Sequence, residues 1–231
     1  MKNFILIILA AGLFFSCSVK GNLTLDERGA GDLSMDFVLV PFFGDFFTDL
    51  IDTDILLDET RLGFEANSAI TNHSLVQEDY RYGGTLSFDD FDALTAIDNG
   101  EEQTLFVRES SGGITTLTIT FTRENWDELS VLVPALSDPT IAMMGPDGSM
   151  GLTEEEYREM VIYPFEGYAP STEEAVKALD ASFLEFTVNL PGPVTAQKGG
   201  TLKGNSVTYR IPLIRMLMLD EELSYSVSYK E

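Results

Sequence analysis

Five stretches of this chain alternate apolar and polar side chains with a period of two, and that rhythm limits the fold more than any other feature. Leu33, Met35, Phe37 and Leu39 are separated by Ser34, Asp36 and Val38. Leu117, Ile119 and Phe121 stand among Thr116, Thr118, Thr120 and Thr122. The C-terminal third repeats the pattern over 184–190, 207–211 and 223–229. Such alternation sets one side of a strand against a core and leaves the other in water, the habit of antiparallel sheets. Turn residues join neighbouring strands: Gly29-Ala30-Gly31-Asp32 between 22–28 and 33–39, and Ser110-Ser111-Gly112-Gly113 between 104–109 and 114–122. Residues 73–88 read as strand around a turn or bulge at Gly83-Gly84.

Helical patterns are fewer and short. After Pro41, Phe42, Phe43, Phe46, Phe47, Leu50 and Ile51 share one helix face, with Asp45, Thr48 and Asp49 opposite. Phe91, Leu94 and Ile97 suggest a second helix, and Trp126, Leu129 and Val133 a third that Pro134 ends. Thr153-Glu154-Glu155-Glu156 and Ser171-Thr172-Glu173-Glu174 each spell a capping box, hydroxyl and glutamate satisfying each other's backbone amides. The fold class expected is therefore α+β: a mostly antiparallel sheet with several short helices packed on it, in a single domain.

Charge and composition narrow the function. The 231 residues carry 14 Lys+Arg against 38 Asp+Glu, a net charge of −24, which argues against a nucleic-acid partner. With 44% hydrophobic and only 23% charged residues, the chain can bury a core. One Cys and one His leave no disulfide framework and no metal site built from several such ligands. The acidic groups Asp52/Asp54/Asp58/Glu59 and Asp89/Asp90/Asp92 lack the order of a calcium loop and read as solvated faces. His73 has no G-x-S-x-G partner, and P-loop and dinucleotide motifs are absent, so no catalytic residue, metal or cofactor is expected.

The N-terminus reads as an address. Met1-Lys2-Asn3 precedes an apolar run over 4–15, too short to span a bilayer, which ends at Ser16-Cys17. It is similar to a bacterial lipoprotein signal, with Phe14 where leucine is commonest and Leu13 one place back, as in spirochaetes. The likeness implies removal of 1–16, a diacylglycerol on Cys17, and residues 17–21 as a lipidated tether. Loss of the signal takes only Lys2 from the charged set and leaves a net charge of −25. No later segment holds 18 uninterrupted apolar residues.

The stretch Val188-Asn189-Leu190-Pro191-Gly192-Pro193-Val194 runs through Gly199-Gly200 and Gly204-Asn205 to Val207-Thr208-Tyr209-Arg210-Ile211-Pro212. It resembles the closing motif of the LppM-type lipoprotein domain: strand, Pro-Gly turn, glycine-bearing loop, aromatic-bearing strand. The chain is also similar to spirochaete lipoproteins with an inserted helical segment, matched by Met144-Gly145-Pro146 and the helix at Tyr157. The resemblance implies one LppM-like α+β domain over 22–231, with 134–182 a helical insertion. It further implies an envelope location, facing periplasm or surface, and lipid or glycolipid contact in some members.

One tract stands apart. Residues 186–219 contain no Asp or Glu but hold Lys198, Lys203, Arg210 and Arg215, and they end in an apolar, Met-rich run over 211–219. Basic groups beside apolar surface suit lipid headgroups and acyl chains; a buried strand pair with a lysine-bearing loop is the plainer reading. Likewise Phe42, Phe43, Phe46 and Phe47 line a lipid pocket or simply pack on a sheet. The sequence thus leads to a non-enzymatic, lipid-anchored envelope protein that binds a lipid or other amphiphile through these eight residues. The alternative is a structural module without a pocket, whose acidic face docks another envelope protein.

Overall fold

The computed structural model describes residues 16–50, 53–96, 104–126, 128 and 143–231. Strands β1 (Ser16–Leu25) and β2 (Gly31–Leu39) are followed by helices α1 (Pro41–Leu50) and α2 (Thr53–Ala66). Then come β3 (Ile70–Glu78), β4 (Arg81–Phe88), the short α3 (Phe91–Thr95), β5 (Phe106–Ser111) and β6 (Ile114–Phe121). Helix α4 (Glu154–Ile162), a 3-10 turn (Tyr163–Phe165) and α5 (Thr172–Ala181) precede β7 (Phe183–Asn189). The chain finishes with β8 (Val194–Lys198), β9 (Thr201–Lys203), β10 (Ser206–Pro212), α6 (Leu213–Met218) and β11 (Leu223–Lys230). The α+β class is as expected, but the strands form two sheets, ordered β3-β4-β2-β1-β7-β10-β9 and β5-β6-β11-β8.

Among the described residues all strand pairings are antiparallel except β1 with β7, which run parallel with Val19 opposite Leu184 and Leu23 opposite Val188. The expected tether at 17–21 is therefore part of a central strand: Val19 is 1% exposed and pairs with Phe37 as well as Leu184. Alternation along β1, β2, β7 and β10 places Leu23, Leu33, Val188 and Tyr209 on one face of the large sheet. Asn22, Ser34, Asn189 and Thr208 fall on the other. Short polar ladders cross that second face, including Thr187 with Thr208 at 2.9 Å and Asn189 donating to Asn22 at 2.6 Å.

The turns follow local chemistry. Asp26 accepts from the backbone N–H groups of Arg28 and Ala30, fixing the β1–β2 turn, where Gly29 takes φ +85°. Gly112 and Gly113, at φ +62° and +77°, form the two-residue turn between β5 and β6 that a right-twisted hairpin favours. The β3–β4 turn is not at Gly83-Gly84 but at Asp79-Tyr80, with Asp79 at φ +46°. Gly83 instead lies inside β4, where a Cβ would stand 2.8 Å from the Met35 carbonyl oxygen. The glycine serves a close strand approach there, not a reversal.

Of the two capping boxes, the first is complete: Thr153 accepts from Glu156 N–H, and the Glu156 carboxylate accepts from Thr153 N–H at 2.8 Å. At Ser171 only the hydroxyl half forms, accepting from Glu174 N–H at 3.2 Å. Within the expected insertion at 134–182, the structure holds α4, the 3-10 turn and α5 between β6 and β7. The helix expected from Trp126, Leu129 and Val133 lies mostly outside the described residues.

Candidate apolar site between the sheets

The two sheets meet along their apolar faces and leave a cavity of about 70 Å³ between them. The large sheet contributes Leu23, Leu33, Leu184, Phe186, Val188, Tyr209 and Ile211 to its wall. The small sheet contributes Phe106, Leu117, Ile119, Phe121, Tyr225 and Val227, and Phe91 and Leu94 of α3 close one side. Helix α3 is seated there by Asp90, whose carboxylate accepts from Asp92 and Ala93 N–H at 2.9 and 3.1 Å. Asp92 in turn pairs with Arg108 of β5 at 3.2 Å. The acidic group at 89–92 is thus a helix cap and an ion pair.

On the opposite side, β8 and β9 are consecutive edge strands belonging to different sheets. The chain crosses from one sheet to the other at Gly199-Gly200, and both glycines are required by packing. A Cβ on Gly199, which has φ +82°, would stand 2.7 Å from Tyr225 Cδ1; one on Gly200 would stand 2.7 Å from Tyr209 Cε1. The backbone of the crossover therefore lies directly against two tyrosine rings of the cavity wall. Those rings meet edge to face, with centroids 5.4 Å apart.

Tyr209 carries the one polar group of this wall that is buried without a hydrogen-bond partner among the described residues. Burial pushes its hydroxyl pKa up to about 12. An unsatisfied buried hydroxyl costs about 1–3 kcal/mol, so it is unusual in a core built for stability alone.

The structure distributes the expected ligand residues differently from the sequence reading. Phe42, Phe43, Phe46 and Phe47 are buried, but none lines the cavity. Phe43 and Phe46 each meet the ring of Phe165 at 4.6 Å, edge to face, so the α1 stripe packs on the 3-10 turn. Two carboxylates on the other face of α1 accept tyrosine hydroxyls, Asp45 from Tyr80 at 2.7 Å and Asp49 from Tyr168 at 2.9 Å. Within the Met-rich run, Leu213–Met218 becomes α6, buried except for Arg215, and stays outside the cavity wall; only Ile211, at the end of β10, reaches it.

The four basic residues do not form one cluster. Arg210 stacks over the Phe183 ring at 3.7 Å, and Arg215 pairs with Glu221. Lys198 and Lys203 are exposed, flank the glycine crossover, and form no ion pair among the described residues. Sequence reasoning passed over Tyr209, Tyr225 and Phe186 as ordinary strand residues. The available signal was Gly199-Gly200, two residues without side chains where a strand pair crosses between sheets.

Of the acidic group at 52–59, Asp52 lies outside the described residues and Asp58 pairs with Arg61. His73 lies in β3 with its ring 5.4 Å from that of Phe64. Among the described residues no group of three or more His, Cys, Asp or Glu converges. No helix among them is long and apolar enough to cross a membrane.

No family model matches the chain, and no curated protein matches it. Among solved structures, it is similar to the NMR structure of the Mycobacterium tuberculosis LppM folded domain. The two share 11% identity at a TM-score of 0.41, over 92% of this chain and 88% of that one.

Proposed function

We propose that the chain is a lipid-anchored envelope protein, without catalytic activity, that holds an apolar portion of an amphiphile between its two sheets. The observation that carries this reading is the cavity, whose wall is almost wholly hydrocarbon and is supplied by both sheets and α3. Its size limits what it takes. An apolar cavity of about 150 Å³ admits benzene, so roughly half that volume admits the end of a chain, a few methylenes long. The remainder of the ligand would leave beside the crossover, where Lys198 and Lys203 offer cations to an anionic headgroup. The Phe42–Phe47 stripe and the two arginines do not enter this version of the site.

The anchor would be the acylated Cys17, two residues before the buried Val19. With no slack between lipid and sheet, the domain would sit directly on its bilayer. Cys17→Ser should abolish acyl labelling and release the protein from membranes; a variant still labelled and membrane-bound overturns the anchor. For the ligand, native mass spectrometry of residues 18–231 with added phosphatidylglycerol is the test. A retained lipid or a mass shift supports the reading. Absence of both sinks it and leaves a pocket-free interaction module.

A further inference from the structure

We propose that β3, the outer strand of the large sheet, is a docking edge for a second copy of this chain. The two β3 strands pair antiparallel about a two-fold axis at Leu75 and carry the sheet from one protomer into the other.

The edges of the two sheets are not alike. Strand β9 is three residues long and ends at Lys203, β8 is five and ends at Lys198, and β5 is six and carries Arg108 and Glu109. Short length and charged side chains are the usual guards against strand pairing at an edge. Strand β3 has neither guard. It runs nine residues, Ile70–Glu78, with no Lys, Arg, Pro or Gly, and its one charge, Glu78, stands at the end.

The edge is also open. Asn72, Ser74, Val76, Gln77 and Glu78 are exposed, Val76 at 44%. Helix α2 meets β3 from the core side, where the Phe64 ring lies against His73, the residue paired with the buried Leu86. Among the described residues, no hydrogen bond reaches the backbone of 72–78 except from β4. Alternate N–H and C=O groups along that run therefore face outward without a protein partner.

The side chains fit a copy of themselves. The regular part of the strand starts at Asn72, past the register shift that follows Ile70, and stops at Glu78, before Asp79 turns at φ +46°. Its centre is Leu75. Pairing about that centre sets Leu75 against the partner's Leu75, Ser74 against the partner's Val76, His73 against the partner's Gln77 and Asn72 against the partner's Glu78. Each carboxylate then meets an amide, and no like charges oppose each other, although the chain as a whole carries −24. A basic foreign strand would find only Glu78 to answer its charges, so this neutral edge suits its own sequence better.

Disulfide trapping of the full chain, expressed in bacteria and oxidised with copper phenanthroline in intact cells, tests the pairing. Opposite residues of an antiparallel pair have Cα atoms about 4.5–5.5 Å apart, within disulfide reach; diagonal neighbours stand about 7–8 Å apart, beyond it. Leu75→Cys should give a disulfide-linked dimer, and the parent chain, whose one cysteine is Cys17, is the control. Ser74→Cys and Val76→Cys should stay monomeric when expressed singly and cross-link when co-expressed. Both positions are exposed, so that pair reports even where Leu75→Cys does not fold. Added to the co-expressed pair, Asn72→Asp should lower the trapped fraction at least about twofold, and Asn72→Lys should raise it, by setting a like or an opposite charge against the partner's Glu78. No dimer from either Leu75→Cys or the co-expressed pair overturns the proposal. Cross-linking that ignores the register or the charge at residue 72 overturns it too. A cross-linked product of another mass, with no dimer, assigns the edge to a different protein and equally overturns the second copy.

Discussion

The guanidinium of Arg123 donates to the backbone carbonyl of Leu219 at 3.0 Å, across 96 residues of chain. The same group donates to the carbonyls of Met218 at 2.9 Å and Pro146 at 2.9 Å, and to the Ser149 hydroxyl at 3.2 Å. Leu219 ends α6 in the left-handed region, at φ +40°, where a branched hydrophobe rarely sits. Arg123 thus ties the 143–152 loop to a strained helix end, and it does so through carbonyls rather than a carboxylate.

Arg123→Met should therefore cost about 2–4 kcal/mol, because the buried Leu219 carbonyl loses this donor and those of Pro146 and Met218 are left to share the single Ser149 hydroxyl, while the side-chain stem is kept. Urea unfolding with an unchanged m-value checks it. A loss below about 0.5 kcal/mol would show that water replaces the guanidinium without penalty.

Two buried tyrosines should respond oppositely to loss of their hydroxyls. Tyr157 donates to the Met144 carbonyl, and both residues are almost fully buried. Tyr157→Phe leaves that carbonyl short of a donor and should destabilise by about 1–3 kcal/mol. Tyr209→Phe removes a hydroxyl that has no partner among the described residues, so the ligand-free protein should hold its stability or gain up to about 1 kcal/mol. Thermal unfolding of both variants separates the cases; a Tyr209→Phe protein that melts as early as Tyr157→Phe would mean that its hydroxyl is satisfied.

The complete capping box predicts a pH effect with a definite sign. Backbone N–H donation from Thr153, then its hydroxyl, holds the Glu156 pKa below the ordinary carboxylate value. A depressed folded pKa contributes stability that is fully present above the unfolded value, about 4.3, and is lost as pH falls through the folded one. Acid also relieves the self-repulsion of a chain at −24, so total stability mixes opposing trends. The difference between wild type and Glu156→Gln isolates the box. It should be constant above about pH 5 and shrink below about pH 4; a difference that grows in acid contradicts the depressed pKa.

How much of this was legible in the sequence depends on how local each cause is. The β5–β6 hairpin was readable because Gly112-Gly113 and the flanking alternation specify it within about fifteen residues. The Thr153 box was readable for the same reason. The parallel register of Val19 with Leu184 was not, since it joins residues 165 apart whose alternation only says that both face a core. Phe43 and Phe46 announced a buried stripe but not its partner, which proved to be Phe165. The cavity was invisible because its wall comes from eight elements, each contributing residues that alone look like ordinary core. Gly83-Gly84 misled because two glycines favour a turn, whereas here strand crowding requires Gly83.

The last relationship links the sheet to the cavity. Across the large sheet Met35, Gly21, Phe186 and Tyr209 stand side by side in register. A Cβ at Gly21 would lie 2.4 Å from Phe186 Cδ2 and 2.8 Å from Met35 Sδ. The Phe186 ring therefore leans over Gly21 and occupies space that a side chain would fill. Gly21→Ala must displace that ring, and the open volume it faces is the cavity it lines. Overpacking of this kind typically costs about 1–3 kcal/mol, and a ring moved inward would take up much of the 70 Å³. The variant should fold, melt earlier and retain added phosphatidylglycerol at least about tenfold more weakly than wild type. Unfolding curves and native mass spectrometry test both halves. Unchanged binding in a destabilised Gly21→Ala protein would mean that Phe186 moves away from the ligand, and that the site lies elsewhere along the sheets.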